Sequence, residues 1–497
     1  MSIVQTWNKP RVAVFLVTVS SVVTGLLFRL PIYRGYFFGD DSLLVNDALN
    51  PNGPHGLLPD LFLVGGGKWR PLSTPLLLEM ARQFGNNLVP FQIVSSVLLV
   101  STGILLGMLV YRLTQLSTPS ILATVLVLSS PFTWLFQSWT YGVMESSALL
   151  CTVISIYFLV GVEDAKKHHQ FKIWCSIFFL FISTLIHERY IIVVFALFFF
   201  YLCLPKHTKR CDINPKLFLL IPVFHLIMKG FIFGINPITS GGETSQDTSV
   251  GLGAVSRLLR GIQGVLGGLS GSGYYYSTDS FSIEMNQNAA SIFLPIGFGS
   301  LILFLAVFAG VIKVRNKRVN QFEKTAGSKY GVALIGIVGL SLLLPGSLVD
   351  ERFEGRWIYG AQIFIISALL IASNEFLVFR RLKYAVSIPL FIVLLVVNWS
   401  YRSDSTAFFT YRSQVDASLT MLEKLVPREN PWSLVVKPFD SNSPTDWQFA
   451  YGYSLQQLSN PPYSFSLGQC PTYRKKIPCY TVQLEKSITA ISITQSH

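Results

Sequence analysis

The chain has 497 residues, of which 51% are hydrophobic and only 13% are charged, and its formal net charge is +13 at pH 7. A soluble domain carries about 25% charged residues, so this composition excludes an ordinary soluble protein and indicates a polytopic membrane protein. The positive charge does not indicate nucleic-acid binding, because in a membrane protein the placement of Lys and Arg matters more than their sum.

The first apolar run, Val12–Leu30, follows Lys9 and Arg11. No small-residue cleavage site follows it, so we interpret it as a retained first helix that acts as a signal anchor. Runs of about 17–25 apolar residues are typical of membrane-spanning helices. The sequence contains eleven candidates: Val12–Leu30, Phe91–Tyr111, Ile121–Phe136, Met144–Val160, Ile173–Ile186, Tyr190–Leu204, Leu217–Phe233, Ser291–Val311, Tyr330–Pro345, Ile358–Ile371 and Tyr384–Val397.

The placement of basic residues predicts the orientation of these spans. If the N-terminus is cytoplasmic, the cytoplasmic loops include four segments rich in Lys and Arg, 163–172, 206–216, 313–329 and 379–383, as the positive-inside rule requires. The exoplasmic side then receives residues 31–90, a Gly/Ser-rich loop at 234–290, a short loop at 346–357 and the C-terminal tail at 398–497.

These patterns predict an all-α polytopic membrane protein with about 11 transmembrane helices in a domain over residues 1–400. A small exoplasmic domain of α/β or mixed class is predicted over residues 401–497. Its two cysteines, Cys470 and Cys479, lie in "CPTYRKKIPC". An oxidising compartment would allow them to pair, so we predict a disulfide, with two free thiols as the alternative.

Paired carboxylates directly follow the first span, in "FFGDDS". Asp40 and Asp41 are suited to general-base work, in which one carboxylate accepts a proton from an attacking hydroxyl and the other orients it. The alternative is an ordinary acidic loop just outside a helix.

A Gly-rich turn, "GGGKWRPLS", follows in the same loop. Lys68 and Arg70 offer donors suited to phosphate, and Arg can bind it through two parallel hydrogen bonds. Trp69 is suited either to anchoring at the membrane interface or to stacking on a sugar. The alternative is a basic turn held at the headgroup level.

Ionisable residues also lie between two apolar runs in "STLIHERYIIVV". Placing His187, Glu188 and Arg189 at this depth is costly, so a functional role is the default hypothesis. The alternative is a tight hairpin tip whose charges reach water. Glu145 opens a helix on the same side and either caps that helix or joins the site.

The fourth segment is the late loop "DERFEGRWIYG". Arg352 and Arg356 are four residues apart and would share a face of a helix. With Trp357 and Tyr359 they would form a site for phosphate and aromatic contacts, and the alternative is an ion-paired loop. The chain contains no Walker loop, no HExxH and no zinc-ligand spacing, so we predict no metal and no cofactor.

Taken in order, these motifs resemble the GT-C superfamily of integral membrane glycosyltransferases, which includes protein O-mannosyltransferases, aminoarabinose transferases and O-antigen glucosylating enzymes. Its members place an acidic pair in the first exoplasmic loop, as "FFGDDS" does. "WRPLS", "HE" at 187–188 and "ERFEGRWIY" resemble later motifs of the superfamily. The resemblance covers about Met1 to Val397.

The resemblance implies an enzyme of the bacterial cell envelope that moves one sugar from a polyprenyl-phosphate donor, such as undecaprenyl phosphate, with inversion. The acceptor would be a lipid-linked glycan or lipopolysaccharide O-antigen, and the site would face the periplasm. Asp40 would be the general base and Asp41 its partner. The donor phosphate would be bound by Lys68, Arg70, Arg352 and Arg356. The pocket would be lined by Trp69, Glu145, His187, Glu188, Arg189, Trp357 and Tyr359.

Two other functions remain open at this point. An O-antigen polymerase or ligase would use Arg and His in a large exoplasmic loop, and the loop at 234–290 with Arg257 and Arg260 fits this loosely. A lipid or glycan transporter predicts charged residues at the bilayer centre and two related halves. The early acidic pair and the gathering of charges on one side favour the monosaccharide transferase. Membrane lipids are expected partners, and nucleic acid is not.

Overall fold

The computed structural model describes residues 9–29, 40–49, 61, 64–65, 68–85, 87–130, 133, 136, 140–160, 169–203, 214–233, 258, 261–262, 265, 274–276, 283–285, 323–348, 355–376, 407–426, 431–437, 455, 458, 462, 464–467, 478–484 and 491–496. The described part of the chain is mostly helical. Its α-helices are α1 (Pro10–Arg29), α2 (Asp40–Leu49), α3 (Ser73–Phe84), α4 (Val89–Thr114), α5 (Ser117–Ser129), α6 (Tyr141–Val160), α7 (His169–Ile186), α8 (Ile191–Cys203), α9 (Leu220–Phe233), α10 (Glu323–Leu348), α11 (Gly355–Phe376) and α12 (Ala407–Leu425).

Nine of the eleven predicted spans overlap helices of the described chain, namely α1 and α4 to α11. The other two, at 291–311 and 384–397, lie outside the described residues. By length and composition, four described helical segments can cross a membrane: Pro10–Phe28, Val89–Thr114, Tyr141–Val160 and Pro215–Ile232. Shorter apolar helices, such as Gln170–Ile186, accompany them. The chain is therefore an integral membrane protein, and the count of eleven spans stays a prediction.

Close contact between α4 and α5 depends on small residues. Gly103 and Gly107, four residues apart on α4, lie against Leu128 and Thr124 of α5, and a Cβ added at either glycine would clash with these side chains. The Thr124 hydroxyl donates to the Gly103 carbonyl at 3.0 Å. Small residues of this spacing let membrane helices approach closely where no hydrophobic effect drives their association.

Hydroxyl contacts join α6 to α7 along their length. The hydroxyls of Thr152 and Ser183 lie 2.8 Å apart, as do those of Ser155 and Ser176. Ser183 also donates to the Ala148 carbonyl at 2.8 Å. Hydrogen bonds between helices fix their register within a membrane. Because the two helices run in opposite directions, this register places the end of α7 beside the start of α6.

The C-terminal part of the chain combines α12 with a mixed sheet. Its strands are β5 (Ser433–Lys437), β6 (Ser464–Leu467), β7 (Cys479–Leu484) and β8 (Ile491–Ser496), in the order β6-β5-β7-β8. β5 is parallel to β6 and β7, whereas β7 and β8 are antiparallel. The predicted exoplasmic domain of α/β or mixed class over residues 401–497 stays a prediction.

An aromatic pair lies in the core of this C-terminal part. Trp432 is fully buried and meets Tyr480 edge-on, with ring centroids 5.8 Å apart. The Tyr480 hydroxyl donates to the Leu425 carbonyl at 3.3 Å, which ties the end of α12 to the sheet. Cys479 on β7 is disulfide-bonded. Its predicted partner, Cys470, lies outside the described residues, so that pairing stays a prediction.

Two short hairpins complete the described strands. β1 (Val64–Gly65) pairs with β2 (Lys68–Trp69), and β3 (Tyr274–Tyr276) pairs with β4 (Ile283–Met285). The first of these hairpins leads into α3, which packs against α2, α6 and α7. The turn that carries Trp69 and Arg70 is thereby held against the helix bundle.

Candidate functional site

Three segments distant in sequence meet where α6 begins and α7 ends. These are the residues before α3, the second turn of α6 and the connection between α7 and α8. The Ser73 hydroxyl donates to the Ile186 carbonyl at 2.7 Å, which fixes the start of α3 to the end of α7. This junction brings Arg70, Glu145 and the His187–Arg189 segment into contact.

The connection between α7 and α8 is a single turn of 3₁₀ helix, Glu188–Tyr190. The His187 backbone N–H still donates to the Ser183 carbonyl at 2.9 Å, so the turn continues directly from α7. The Arg189 backbone N–H donates to Nδ1 of His187 at 3.3 Å and caps the turn. The chain can therefore reverse direction between α7 and α8 without a glycine or proline. The reversal directs the charged side chains of this turn into the protein instead of into water.

Arg70 and Glu188 form the outer ion pair of the site. The Arg70 Nε donates to Glu188 Oε2 at 2.7 Å, and its Nη2 donates to Glu188 Oε1 at 2.9 Å. Two parallel bonds of this kind are the strongest form of an arginine–carboxylate contact. The side chains are 15% and 20% exposed, respectively, so the pair is mostly but not completely shielded from solvent.

The inner part of the site is more deeply buried. Glu145 Oε1 accepts from Nη2 of Arg189 and lies 3.2 Å from Nε2 of His187. The Glu145 side chain is only 4% exposed, and those of His187 and Arg189 are each 9% exposed. Because Glu145 lies beyond the first turn of α6, it does not cap that helix. The capping alternative was wrong, and Glu145 joins the charged cluster.

The hydrogen bonds assign the protonation of His187. Since Nδ1 accepts the Arg189 backbone N–H, the ring proton lies on Nε2 and points to the Glu145 carboxylate. Burial lowers the pKa of His187 below its ordinary value, against the opposing pull of Glu145 and Glu188. With His187 neutral, the two arginines and two glutamates of the charged cluster balance.

The charges of the outer pair are also set by their surroundings. Burial would raise the pKa of Glu188, but the hydrogen bonds and charge of Arg70 outweigh burial and hold that pKa well below its usual range. Burial would lower the pKa of Arg70, but its hydrogen bonds and the charge of Glu188 outweigh burial and raise it. Both members of the pair are therefore ionised at neutral pH.

Acidification is expected to destabilise the fold in two steps. The ordinary pKa of His187 is 6.5. Below that pH the unfolded chain takes up a proton at His187, whereas the folded chain keeps His187 neutral. The free energy of unfolding is therefore full above pH 6.5 and falls as the pH drops below it. The Glu188 pair is complete above its ordinary pKa of 4.5 and is lost as pH falls below that value. Each step contributes up to about 1.4 kcal/mol per pH unit.

Thermal melting from about pH 8 down to about pH 2 covers both steps. His187→Gln should remove the first step and leave the second. If the first step persists in that variant, another group produces it.

Trp69 is a packed side chain and not an exposed anchor. It is 3% exposed, and its Nε1 donates to the Leu61 carbonyl at 3.0 Å. Its ring meets His225 edge-on, with centroids 5.9 Å apart, and lies 6.4 Å from the ring of Phe224. The interfacial-anchor interpretation is therefore wrong, and contact of Trp69 with a sugar stays a prediction.

His225, on α9, was not among the predicted site residues. It is buried, and its Nε2 lies 3.0 Å from the Thr184 hydroxyl. The Thr184 hydroxyl itself donates to the Phe181 carbonyl at 2.8 Å. The sequence signal was present, because a histidine inside the apolar run "IPVFHLIM" is an ionisable residue within a membrane span.

The start of α11 lies near the same turn. Tyr359 is fully buried, its ring centroid is 4.9 Å from that of Phe136, and its hydroxyl donates to the Val127 carbonyl at 3.4 Å. Tyr359 thus packs in the bundle core. A Cβ added at the neighbouring Gly360 would lie 3.7 Å from the Tyr190 hydroxyl. The beginning of α11 therefore approaches the turn that carries the charged cluster.

The remaining predicted site residues are placed only in part. Asp40 and Asp41 are the first two residues of α2, and Arg356 and Trp357 lie at the beginning of α11. Lys68 lies on β2. The side chains of these five residues, and all of Arg352, lie outside the described part of the structure, so their roles stay predictions. Among the described residues, no group of three His, Cys, Asp or Glu side chains could hold a metal ion.

Comparison with known proteins gives structural relatives only. No family model and no curated protein matches the chain. ArnT from Cupriavidus metallidurans in the apo state matches with a TM-score of 0.50 and 10% identity, over 94% of this chain and 92% of ArnT. ArnT bound to undecaprenyl phosphate matches with a TM-score of 0.49 and 11% identity, over 95% and 92%.

The archaeal oligosaccharyltransferase AglB from Archaeoglobus fulgidus, in complex with an inhibitory peptide and a dolichol-phosphate, matches with a TM-score of 0.47 and 12% identity. That match covers 92% of this chain and 65% of AglB. At such low identity, the match to apo ArnT bears on the fold alone. The chain shares its fold with ArnT.

Proposed function

We propose that this chain is an inverting membrane glycosyltransferase that moves a single hexose from a polyprenyl-phosphate donor to an acceptor hydroxyl. The observation that carries the proposal is the charged cluster of Arg70, Glu145, His187, Glu188 and Arg189. Arg70, His187 and Glu188 come from segments whose motifs resemble the GT-C superfamily. Burying five ionisable side chains at the end of an apolar bundle is costly, and such residues are by default functional.

The shared fold supports the choice of donor. ArnT has this fold and has been solved with undecaprenyl phosphate bound. A polyprenyl-phosphate sugar has a polar head and an apolar tail, so it requires a polar site that opens to lipid. A charged cluster at the end of a membrane helix bundle supplies the polar part of such a site, and irregular backbone at membrane depth is tolerated where it lines one.

The reaction we propose is a single displacement at the anomeric carbon. The acceptor hydroxyl loses its proton to the Asp40 carboxylate and forms a bond to the anomeric carbon, while the bond from that carbon to the phosphate oxygen breaks. Asp41 orients the base or the acceptor. Positive groups placed where the leaving phosphate gains charge stabilise the transition state. That role falls to Lys68, Arg70, Arg352 and Arg356.

The remaining residues of the charged cluster surround Arg70. Glu188 pairs with its guanidinium in the donor-free site, and His187 and Glu145 hold the turn that carries Glu188. We place Trp69, Arg189, Trp357 and Tyr359 in or behind the wall of the pocket. The acceptor we propose is a lipid-linked glycan or lipopolysaccharide O-antigen, with the chain in a bacterial inner membrane and the site facing the periplasm.

The test is transfer of labelled sugar by the purified protein in detergent. One arm supplies a short-chain polyprenyl-phosphate hexose labelled in the sugar, with a lipid extract from host membranes as the source of acceptors. We expect label in the acceptor fraction and release of an equal amount of polyprenyl phosphate. A second arm supplies a diphosphate-linked oligosaccharide. Turnover of that donor alone would favour the polymerase or ligase, and turnover of neither donor would refute the proposed function.

A further inference from the structure

The guanidinium of Arg70 already has an anionic partner in this structure. Glu188 accepts from both Nε and Nη2, at 2.7 and 2.9 Å. Phosphate and carboxylate bind arginine through the same pair of parallel hydrogen bonds. The two oxygens of Glu188 thus take the position on Arg70 that two oxygens of a phosphate would take.

We propose that Glu188 is an internal competitor for the phosphate group of a lipid ligand at Arg70, and that it must release Arg70 before the phosphate binds there. The proposal rests on the proposed function only in that Arg70 is taken as a donor-phosphate ligand. It adds that the Glu188 carboxylate occupies Arg70 when no donor is bound. The ligand phosphate replaces that carboxylate on Arg70 and does not bind beside it.

The charge balance of the site supports displacement. Arg70 and Arg189 are matched by Glu145 and Glu188, so the charged cluster as built has no net charge with which to attract an anion. The deeper arginine cannot take the place of Arg70, because it is held by Glu145 and is less exposed. While Glu188 is paired with Arg70, the positive charge of Arg70 is already neutralised. A phosphate that approaches Arg70 would also be repelled by the negative charge of Glu188.

The exposure of the two pairs also singles out Arg70 and Glu188. They are the most exposed members of the cluster, at 15% and 20%. Because the Glu188 side chain is 20% exposed, its carboxylate can move off Arg70 toward the solvent-accessible side of the pair.

The experiment measures ligand affinity in the full chain. A short-chain prenyl phosphate and inorganic phosphate are titrated separately against the wild type and Glu188→Gln by calorimetry. The glutamine keeps the length of the side chain and one acceptor for Arg70, which favours folding. We expect Glu188→Gln to bind prenyl phosphate about tenfold more tightly, which corresponds to about 1.4 kcal/mol.

Glu79→Gln is the matched control. Glu79 lies on α3 and pairs with Arg82 at 3.5 Å, with 44% of its side chain exposed. This variant removes the same charge from the same region without touching Arg70, so its affinity should match that of the wild type. Adding Arg70→Gln to Glu188→Gln should abolish the gain. An equal gain in Glu79→Gln would mean that net charge and not displacement raised the affinity, and would overturn the proposal.

The two ligands identify the source of the phosphate. A gain for prenyl phosphate alone assigns the position to a lipid headgroup, and an equal gain for inorganic phosphate assigns it to phosphate in general; both support displacement. Unchanged or weaker binding by Glu188→Gln, with wild-type binding intact, would overturn displacement but leave the proposed function standing. Binding of neither ligand by either protein would overturn both. If Glu188→Gln does not fold, Glu188→Asp shortens the carboxylate and should show a smaller gain.

Discussion

Asp40→Asn is expected to lower the rate of sugar transfer by about 10²–10⁴-fold, the range that a positioned general base contributes. Asparagine has nearly the same shape as aspartate but cannot take up the proton of the acceptor hydroxyl. Asp40 begins α2, and α2 packs against α3, which follows Arg70 directly. The backbone thus places the paired acids on the element that supports the Arg70 turn.

The neighbouring residue, Asp41, provides a comparison for this prediction. Asp41→Asn changes the same charge at the next position, and we expect a smaller loss from it because this residue only orients. Donor binding, followed by calorimetry with a prenyl phosphate, should be unchanged in Asp40→Asn, since the base acts on the acceptor. Near-wild-type transfer by a folded Asp40→Asn protein would contradict the assignment, and a larger loss in Asp41→Asn would exchange the two roles.

The membrane helices could be predicted from the sequence because hydropathy alone determines them. Nine predicted spans overlap described helices, and most differences are at the ends, as between Met144–Val160 and the observed Tyr141–Val160. The contact between α4 and α5 was missed, although "GILLG" at 103–107 has the Gly-x-x-x-Gly spacing that predicts close helix packing. That motif indicates an interface but not which helix is the partner.

The charged cluster was predicted residue by residue but not pair by pair. Arg70 and Glu188 are separated by 118 positions, so no local pattern joins them. The sequence therefore predicted Arg70 as a phosphate ligand without predicting its pairing with Glu188. Trp69 was misjudged for a similar reason, because its burial depends on Phe224 and His225 of α9. Sequence patterns identify ionisable residues whose burial in a membrane protein costs free energy. The packing of distant segments decides which partner offsets that cost.

Removing one partner from the inner part of the charged cluster is expected to cause the largest loss of stability. Glu145→Ala is expected to destabilise the protein by about 3–5 kcal/mol, because it leaves the Arg189 guanidinium buried without its counter-ion. Arg189 is only 9% exposed and cannot recover hydration without disrupting the α7–α8 turn. Denaturant titration of tryptophan fluorescence in detergent measures the loss. The exposed control Glu79→Ala should change the stability by about 1 kcal/mol or less.

A double variant separates the pair from its surroundings. Glu145→Met combined with Arg189→Met removes both charges and fills the space with apolar side chains of similar length, and replacing a buried ion pair in this way is often neutral. We therefore expect the double variant to recover at least half of the loss seen in Glu145→Ala, even though His187 then lacks its carboxylate partner. Losses that simply add would show that the two residues are not coupled. A further outcome is that the double variant recovers stability without recovering sugar transfer. That result would mean that the buried charges serve the reaction and not the fold. The two methionines would then hold the helices together equally well, but they would no longer hold the turn that carries Glu188.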